Sequence, residues 1–338
     1  MAGPRLAVLG AGSIGCYVGG AWAAAGLSVT FIGRERLAAE ITRHGLTVGD
    51  YTGWSHRFEP GAVDYCTDPA AMAEADIILV TVKSGATAEA AAEIARYAKD
   101  GAIVVSLQNG IGNIRALEEA LGGRFPIVWA MVPFNVVMLG DGRFHKGVAG
   151  SLVAEECEAV RPLAAAVAGS REPLRLARNM AAVAWGKLVI NLNNAVNALS
   201  GLTLAEQLAN RDYRRVVAAS QAEALGVLKA VGIRPARVGP VPPMFLPRVI
   251  GAPDWLFRKL FARGWKIDSH ARSSMADDLA RGRRTEIDAL NGEVVRLAER
   301  NGRDAPINRR IVELVRRAEE GAKPWAAQAL AGDVLGRR

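Results

Sequence analysis

Apolar residues fall along this chain in two rhythms. In the first half they come as short unbroken runs closed by glycine or a polar turn: Arg5 to Leu9, Ser28 to Ile32, Asp76 to Val82, Ala102 to Leu107 and Ile127 to Phe134. Runs of that length without alternation predict strands buried on both faces. A small-residue stretch through Ala25, closed by Gly26, and the alanine-rich stretch Ala86 to Ala98 predict helices between them. Strand, turn, helix and strand within ~30 residues make a βαβ unit, whose crossover requires a parallel pair. The recurring alternation predicts a Rossmann-type α/β domain, a doubly wound, mostly parallel sheet covered on both faces.

Near residue 178 the rhythm becomes helical, with stretches at Met180–Leu199, Leu204–Val231, Ser273–Asn301 and Asn308–Gly321. A Pro/Gly-rich, partly aromatic segment from Arg234 to Lys266 interrupts them, with prolines at 242, 243, 247 and 253. The expected organisation is an N-terminal α/β domain over residues 1–178, a C-terminal all-helical domain over 179–325 and a tail over 326–338.

Composition narrows the class. Half of the 338 residues are hydrophobic (50%) and 22% are charged, which excludes wholesale disorder. No apolar run reaches the ~18 residues needed to cross a bilayer, and Met1 to Pro4 lead straight into a strand with no charged leader. A cytoplasmic protein without membrane partners is expected. The three cysteines are too scattered for a disulfide framework, and His44, His56, His145 and His270 never pair at helical spacing, so no metal centre is expected. The formal charge of +8 is spread along the chain and aromatics are only 6%, which argues against nucleic acid and favours anionic small ligands. The apolar helical domain is compatible with a homodimer.

The turn after the first strand reads Gly10-Ala11-Gly12-Ser13-Ile14-Gly15. In this setting Gly10 permits the tight turn, Gly12 lets backbone approach a pyrophosphate, and Gly15 allows close helix–strand packing. The N–H groups at the helix start would receive the phosphates. After the second strand the chain reads Gly33-Arg34-Glu35-Arg36 where NAD enzymes usually place an acid. Arg34 suits a 2′-phosphate and points to NADP(H). Glu35 in a shifted register is the alternative ribose acid, and Arg36 reads equally as a solvated helix charge. Lys83 and Asn109 end two further strands, at the edge where ligands bind in open α/β sheets; surface lysine and turn former are their bland readings.

In the helical half, Lys187, Asn191 and Asn194 stand at i, i+4 and i+7, so one helix face presents a cation and two amides to a polar, partly anionic substrate. A hydrogen-bond network between helices is the alternative. Ser273 or Ser274 can begin a helix as an N-cap, with Asp277 and Asp278 in its first turn, and the Arg281–Arg284 cluster reads as a solvated face.

Taken together, GAGSIG at residues 10–15, TVKS around Lys83, QNG at Asn109, the WGKLxxN run at Lys187 and the SSM…D…RRTEID…NG block from Ser273 to Gly292 resemble the ketopantoate reductase (2-dehydropantoate 2-reductase) family. The resemblance is ordered over roughly residues 5 to 317, and the last block is its most specific part. It implies NADPH-dependent reduction of 2-dehydropantoate to (R)-pantoate in the synthesis of pantothenate and coenzyme A. Position by position it implies Lys187 as the proton donor, Asn191 and Ser274 as substrate-binding residues and Asn109 as a contact to both cofactor and substrate. Glu286 would stand near the nicotinamide end and Lys83 in the cofactor cleft, and the cleft is expected between the two domains. One departure is that many members carry asparagine eight residues after the lysine, where this chain has Ala195. Asn194 or Asn197 can substitute, and Asn194 is favoured because Asn197 points off the lysine's face. Ala195 and the long Pro-rich segment keep open a reductase of a different 2-oxo acid on the same scaffold. A non-catalytic NADPH sensor would account for the glycine motif but leaves Lys187, Asn191, Ser274 and Glu286 unexplained together.

Overall fold

The computed structural model describes residues 3–261 and 271–336; His270, the end of the Pro-rich segment through Lys266 and the last two residues of the expected tail lie outside the described residues. The chain divides into two compact units, Met1–Met180 and Ala181–Arg338.

The first unit is built on twelve strands: β1 (Leu6–Leu9), β2 (Val29–Ile32), β3 (Leu46–Asp50), β4 (Ser55–Phe58), β5 (Asp64–Cys66), β6 (Ile77–Val80), β7 (Ile103–Ser106), β8 (Ile127–Met131), β9 (Val136–Gly140), β10 (Arg143–Lys146), β11 (Leu152–Glu155) and β12 (Leu174–Ala177). Eight form one sheet in the order β12-β11-β8-β7-β6-β1-β2-β5. Every pairing in it is parallel except β8 with β11. The apolar runs LAVL of β1 and IILV of β6 are buried at every position, as strands covered on both faces must be. The order steps outward from β1 in both directions, which sets a topological switch point at its carboxyl end, beside the glycine turn.

The remaining four strands make a second sheet, β4-β3-β10-β9, in which only β9 (VVMLG) is an apolar run. The other three are short and carry polar residues: β4 reads SHRF, β10 reads RFHK, and β3 (LTVGD) alternates buried and half-buried positions. It packs on the helix Ser13–Ala23. A buried ion pair anchors that contact: Lys146 lies 2.6 Å from Glu172, and Tyr17 donates to the same carboxylate at 2.7 Å. The Lys146 ammonium also sits 4.0 Å from the Phe134 ring centre. The helix opened by the glycine turn is thereby fixed along its length.

The second unit is helical, as expected, but more finely divided than the periodicity suggests. Around the long helix Arg211–Ala230 pack helices Asn193–Ser200, Leu246–Ile250, Asn291–Arg300, Pro306–Glu319 and Ala327–Leu335. The last of these occupies most of the expected tail and buries Leu330, Ala331 and Val334. Asn210 splits the stretch Leu204–Val231, leaving helical geometry and accepting a bond from the Asp212 N–H. The stretch Ser273–Asn301 breaks after Ala280, where Gly282 adopts φ +61°, so the RRTEID block is a loop with one turn of 3₁₀ helix. Residues 250–254 of the Pro-rich segment are held by Arg214, which is 1% exposed and donates to the carbonyls of Ile250 and Ala252 and to Asp254, as well as to the Leu208 carbonyl.

Candidate active site

In the first unit the sheet's carboxyl edge gathers Gly10 to Gly15, Arg34, Lys83 and Asn109. Gly10 has φ +85°, and a Cβ there would lie 2.7 Å from the Val82 backbone nitrogen, so both conformation and packing require glycine. At Gly15 a Cβ would meet the Thr81 hydroxyl at 2.6 Å and a Val8 methyl at 2.7 Å, which is the close helix–strand approach the motif predicts. Gly12 differs: the nearest protein atom to its Cβ would be 3.8 Å away. Its bareness answers to nothing in the protein, and it leaves room for a ligand's backbone approach. The loop is held by Tyr65, which donates to the Ala11 carbonyl at 2.7 Å, and by Thr81, which donates to the Gly10 carbonyl at 2.9 Å. The helix Ser13–Ala23 has no side-chain cap, and its first intrahelical bond runs from Cys16 to Gly12. The N–H groups of Ser13, Ile14 and Gly15 therefore suit an anion. The observed loop fits a dinucleotide pyrophosphate.

Arg34 is exposed just past β2, at the start of the helix Glu35–His44. Arg36, its rival, is engaged with Glu40 at 3.2 Å, whereas Arg34 makes no ion pair among the described residues.

Lys83 is exposed and begins a short turn after β6, while Asn109 is half-buried three residues after β7. Beneath them lies a network that spacing alone did not reveal. Asn113 donates to the Asn109 carbonyl at 2.5 Å and to the Ser84 hydroxyl at 3.0 Å, and Thr87 donates to Asn113 at 3.0 Å. Gln108 donates to Thr87 at 2.8 Å and to the Val82 carbonyl at 3.1 Å. Thr87, Gln108 and Asn113 are all buried, so this layer fixes the two loops that carry Lys83 and Asn109. The one available signal was the cluster of small polar residues just after two apolar strands. Alongside the loops opens a cleft of about 180 Å³, lined among others by Gly10, Gly33 and Glu93.

In the second unit Lys187 lies on the helix Met180–Asn191, and the interruption at Leu192 keeps right-handed backbone (φ −58°, ψ −21°), so the register passes into the helix Asn193–Ser200. Lys187, Asn191 and Asn194 are each half-buried, while Leu188, Val189, Leu192, Ala195 and Val196 are buried. The cation and both amides thus share a partly open stripe, beside which Ile190 and Asn193 are also half-buried. Gly186 allows the Pro-rich segment to cross: a Cβ there would collide with the Ala236 carbonyl. Gln221 braces the same helix by donating to the Val189 carbonyl at 3.1 Å.

Burial pushes the Lys187 ammonium down to about 8, and the Glu286 carboxylate opposes it. Glu286, expected at the nicotinamide end, is half-buried within the second unit and acts on this lysine. Its turn is pinned by Glu319, which accepts from the Thr285 N–H and hydroxyl, both at 2.7 Å.

The two serines separate cleanly. Ser273 is the N-cap, accepting from Ala276 N–H at 3.1 Å and donating to the Asn194 carbonyl at 3.1 Å. Ser274 is exposed at the first helical position, and its hydroxyl makes no hydrogen bond among the described residues. Asn197 is fully buried and satisfied, donating to Leu202 and accepting from the Ser273 N–H. Of the two candidates to replace the asparagine absent at 195, only Asn194 retains an accessible amide. Asn193, not singled out by spacing, carries a buried Oδ1 without a hydrogen-bond partner.

Among the described residues no group of three or more His, Cys, Asp or Glu could hold a metal, and no helix is long and apolar enough to cross a membrane.

The comparisons agree along the chain. The family model described as ketopantoate reductase PanE/ApbA matches residues 6–158, and that of its C-terminal domain matches residues 179–319. A 2-dehydropantoate 2-reductase of Halobacterium salinarum is 29% identical over 333 residues, covering 93% of this chain and 99% of its own. The crystal structure of a PanE/ApbA family ketopantoate reductase from Ralstonia eutropha superposes with a TM-score of 0.79 at 30% identity, covering 94% of this chain and 98% of that one. A D-mandelate dehydrogenase solved with NADH and anilino(oxo)acetate shares the fold, with a TM-score of 0.74 at 20% identity over 94% of this chain and 98% of that one. The glycine turn, the polar layer under Asn109 and the Lys187 stripe thus belong to an oxidoreductase acting on a CH–OH or C=O group, and the chain is a member of the PanE/ApbA ketopantoate reductase family.

Proposed function

We propose that the protein reduces 2-dehydropantoate to (R)-pantoate with NADPH, in pantothenate and coenzyme A synthesis, and that Lys187 is the general acid. The observation that carries this reading is the half-buried ammonium on a stripe of amides, depressed by burial and opposed by Glu286. When bound, the reduced nicotinamide supplies the hydride to the 2-oxo carbon. Lys187 then has two tasks, to stabilise the charge developing on the carbonyl oxygen and to deliver the proton from Nζ to it. Asn191, Asn194 and Ser274 offer donors to the substrate carboxylate and hydroxyl. Glu286 keeps the lysine protonated at neutral pH.

The choice of NADPH is supported by Arg34, exposed beside Gly33 while Arg36 is engaged with Glu40. Its planar fork suits a 2′-phosphate. Gly10 to Gly15 would hold the pyrophosphate, with Lys83 and Asn109 at the neighbouring strand ends.

One observation favours a second reading, reduction of another 2-oxo acid. Position 195 is a fully buried alanine, so any polar contact from this part of the helix falls to Asn194 instead. A panel of 2-oxo acids compared by kcat/KM decides. Ketopantoate as the best substrate supports the first reading; a poor kcat/KM for it beside a good one for another member replaces it with the second.

A further inference from the structure

We propose that Glu93 selects the base of the dinucleotide by accepting a hydrogen bond from the exocyclic amino group of adenine. The inference rests on the proposed reading of the first unit as an NADPH site.

The cleft of about 180 Å³ at the sheet's carboxyl edge has Ile32 and Pro69 among its lining residues, and Val82, Ala86 and Ala90 as well. Such apolar walls accept the flat face of any purine. Gly10 and Gly33 line it too, so it is continuous with the glycine turn and with the end of β2. Those are the neighbours an adenosine requires when its pyrophosphate lies on the turn.

Among the described residues two carboxylates line the cleft, Glu89 and Glu93. With Ala86 and Ala90 they stand at i, i+3, i+4 and i+7 along the helix Thr87–Tyr97 and its cap, on one face. Glu89 is exposed and Glu93 half-buried, and neither makes a hydrogen bond or ion pair among the described residues. Partial burial, with Glu89 nearby, holds the Glu93 carboxyl above its ordinary range. A half-buried acceptor without a donor is poorly satisfied, and a ligand that brings an N–H compensates it. Adenine brings one at its 6-position. Hypoxanthine places an oxygen there, which meets the carboxylate acceptor to acceptor.

The test is equilibrium titration of the whole protein with NADPH and with its hypoxanthine counterpart, deamino-NADPH, followed by fluorescence. Wild type is expected to bind deamino-NADPH at least about tenfold more weakly. In Glu93→Gln, whose amide can donate to the oxygen, the preference is expected to vanish or reverse. Equal binding of the two nucleotides by wild type overturns the proposal and needs no variant to be folded, and a preference that survives in Glu93→Gln also overturns it. Saturable NADPH binding without base preference leaves the NADPH site standing, whereas absence of NADPH binding removes both.

Discussion

Glu286 opposes the effect of burial on Lys187: burial draws the ammonium down to about 8, and the carboxylate pulls it back up. A general acid must be protonated, so kcat/KM for reduction is expected to hold at neutral pH and fall as pH rises through about 8. Removing the carboxylate charge in Glu286→Gln should move that alkaline limb to lower pH. Identical limbs in wild type and variant would show that Glu286 does not tune the lysine.

The same burial has a stability consequence. The folded chain releases the Lys187 proton at about 8, against an ordinary lysine value of 10.5. The unfolded chain therefore binds more protons between those values, and stability from this group rises with pH across that window. Below it, the charged form is held where burial disfavours it. Lys187→Met should stabilise the protein at pH 7 by about 1–3 kcal/mol while abolishing turnover, as read by denaturant titration. A destabilised Lys187→Met would mean that the ammonium's partners outweigh its burial.

Two glycines of one motif should behave differently. Gly10→Ala forces a side chain into φ +85° and against the Val82 backbone, and should cost about 1–3 kcal/mol of stability or more. Gly12→Ala meets no protein atom closer than 3.8 Å. It should fold normally and bind NADPH about tenfold more weakly, the equivalent of ~1.4 kcal/mol. Thermal melts and cofactor titrations separate the two effects. Unchanged NADPH affinity in Gly12→Ala would remove the pyrophosphate from this turn.

Much of this was readable from residues alone, and the parts that were not have physical reasons. Buried parallel strands such as IILV of β6 announce themselves as unbroken apolar runs. Most of the small sheet does not, because SHRF and RFHK put polar side chains in the majority and only β9 (VVMLG) is an apolar run. Helical period located the second unit but not its breaks: Asn210 and Gly282 end helices through local backbone geometry that periodicity averages over. The Lys187 stripe follows from i, i+4, i+7 spacing, which survives the interruption at Leu192. The layer of Ser84, Thr87, Gln108 and Asn113 shows in the sequence only as small polar residues after two apolar strands, since its members are brought together by two neighbouring strand ends and not by spacing. Which serine caps the helix is likewise a tertiary fact, decided by the Asn194 carbonyl that Ser273 reaches.

Cofactor choice is tested at Arg34. In Arg34→Ala, KM for NADPH should rise about 10–100-fold, the worth of charge-assisted hydrogen bonds to a phosphate, while KM for NADH stays within about twofold. An equal change in both would mean that Arg34 does not read the 2′-phosphate.

The most direct measurement is steady-state oxidation of NADPH with ketopantoate by wild type and Lys187→Ala. Wild type is expected to turn over robustly, and the variant at least ~10²-fold more slowly, chiefly in kcat, with NADPH affinity preserved. Turnover that survives the substitution would contradict the assignment of Lys187 as the proton donor.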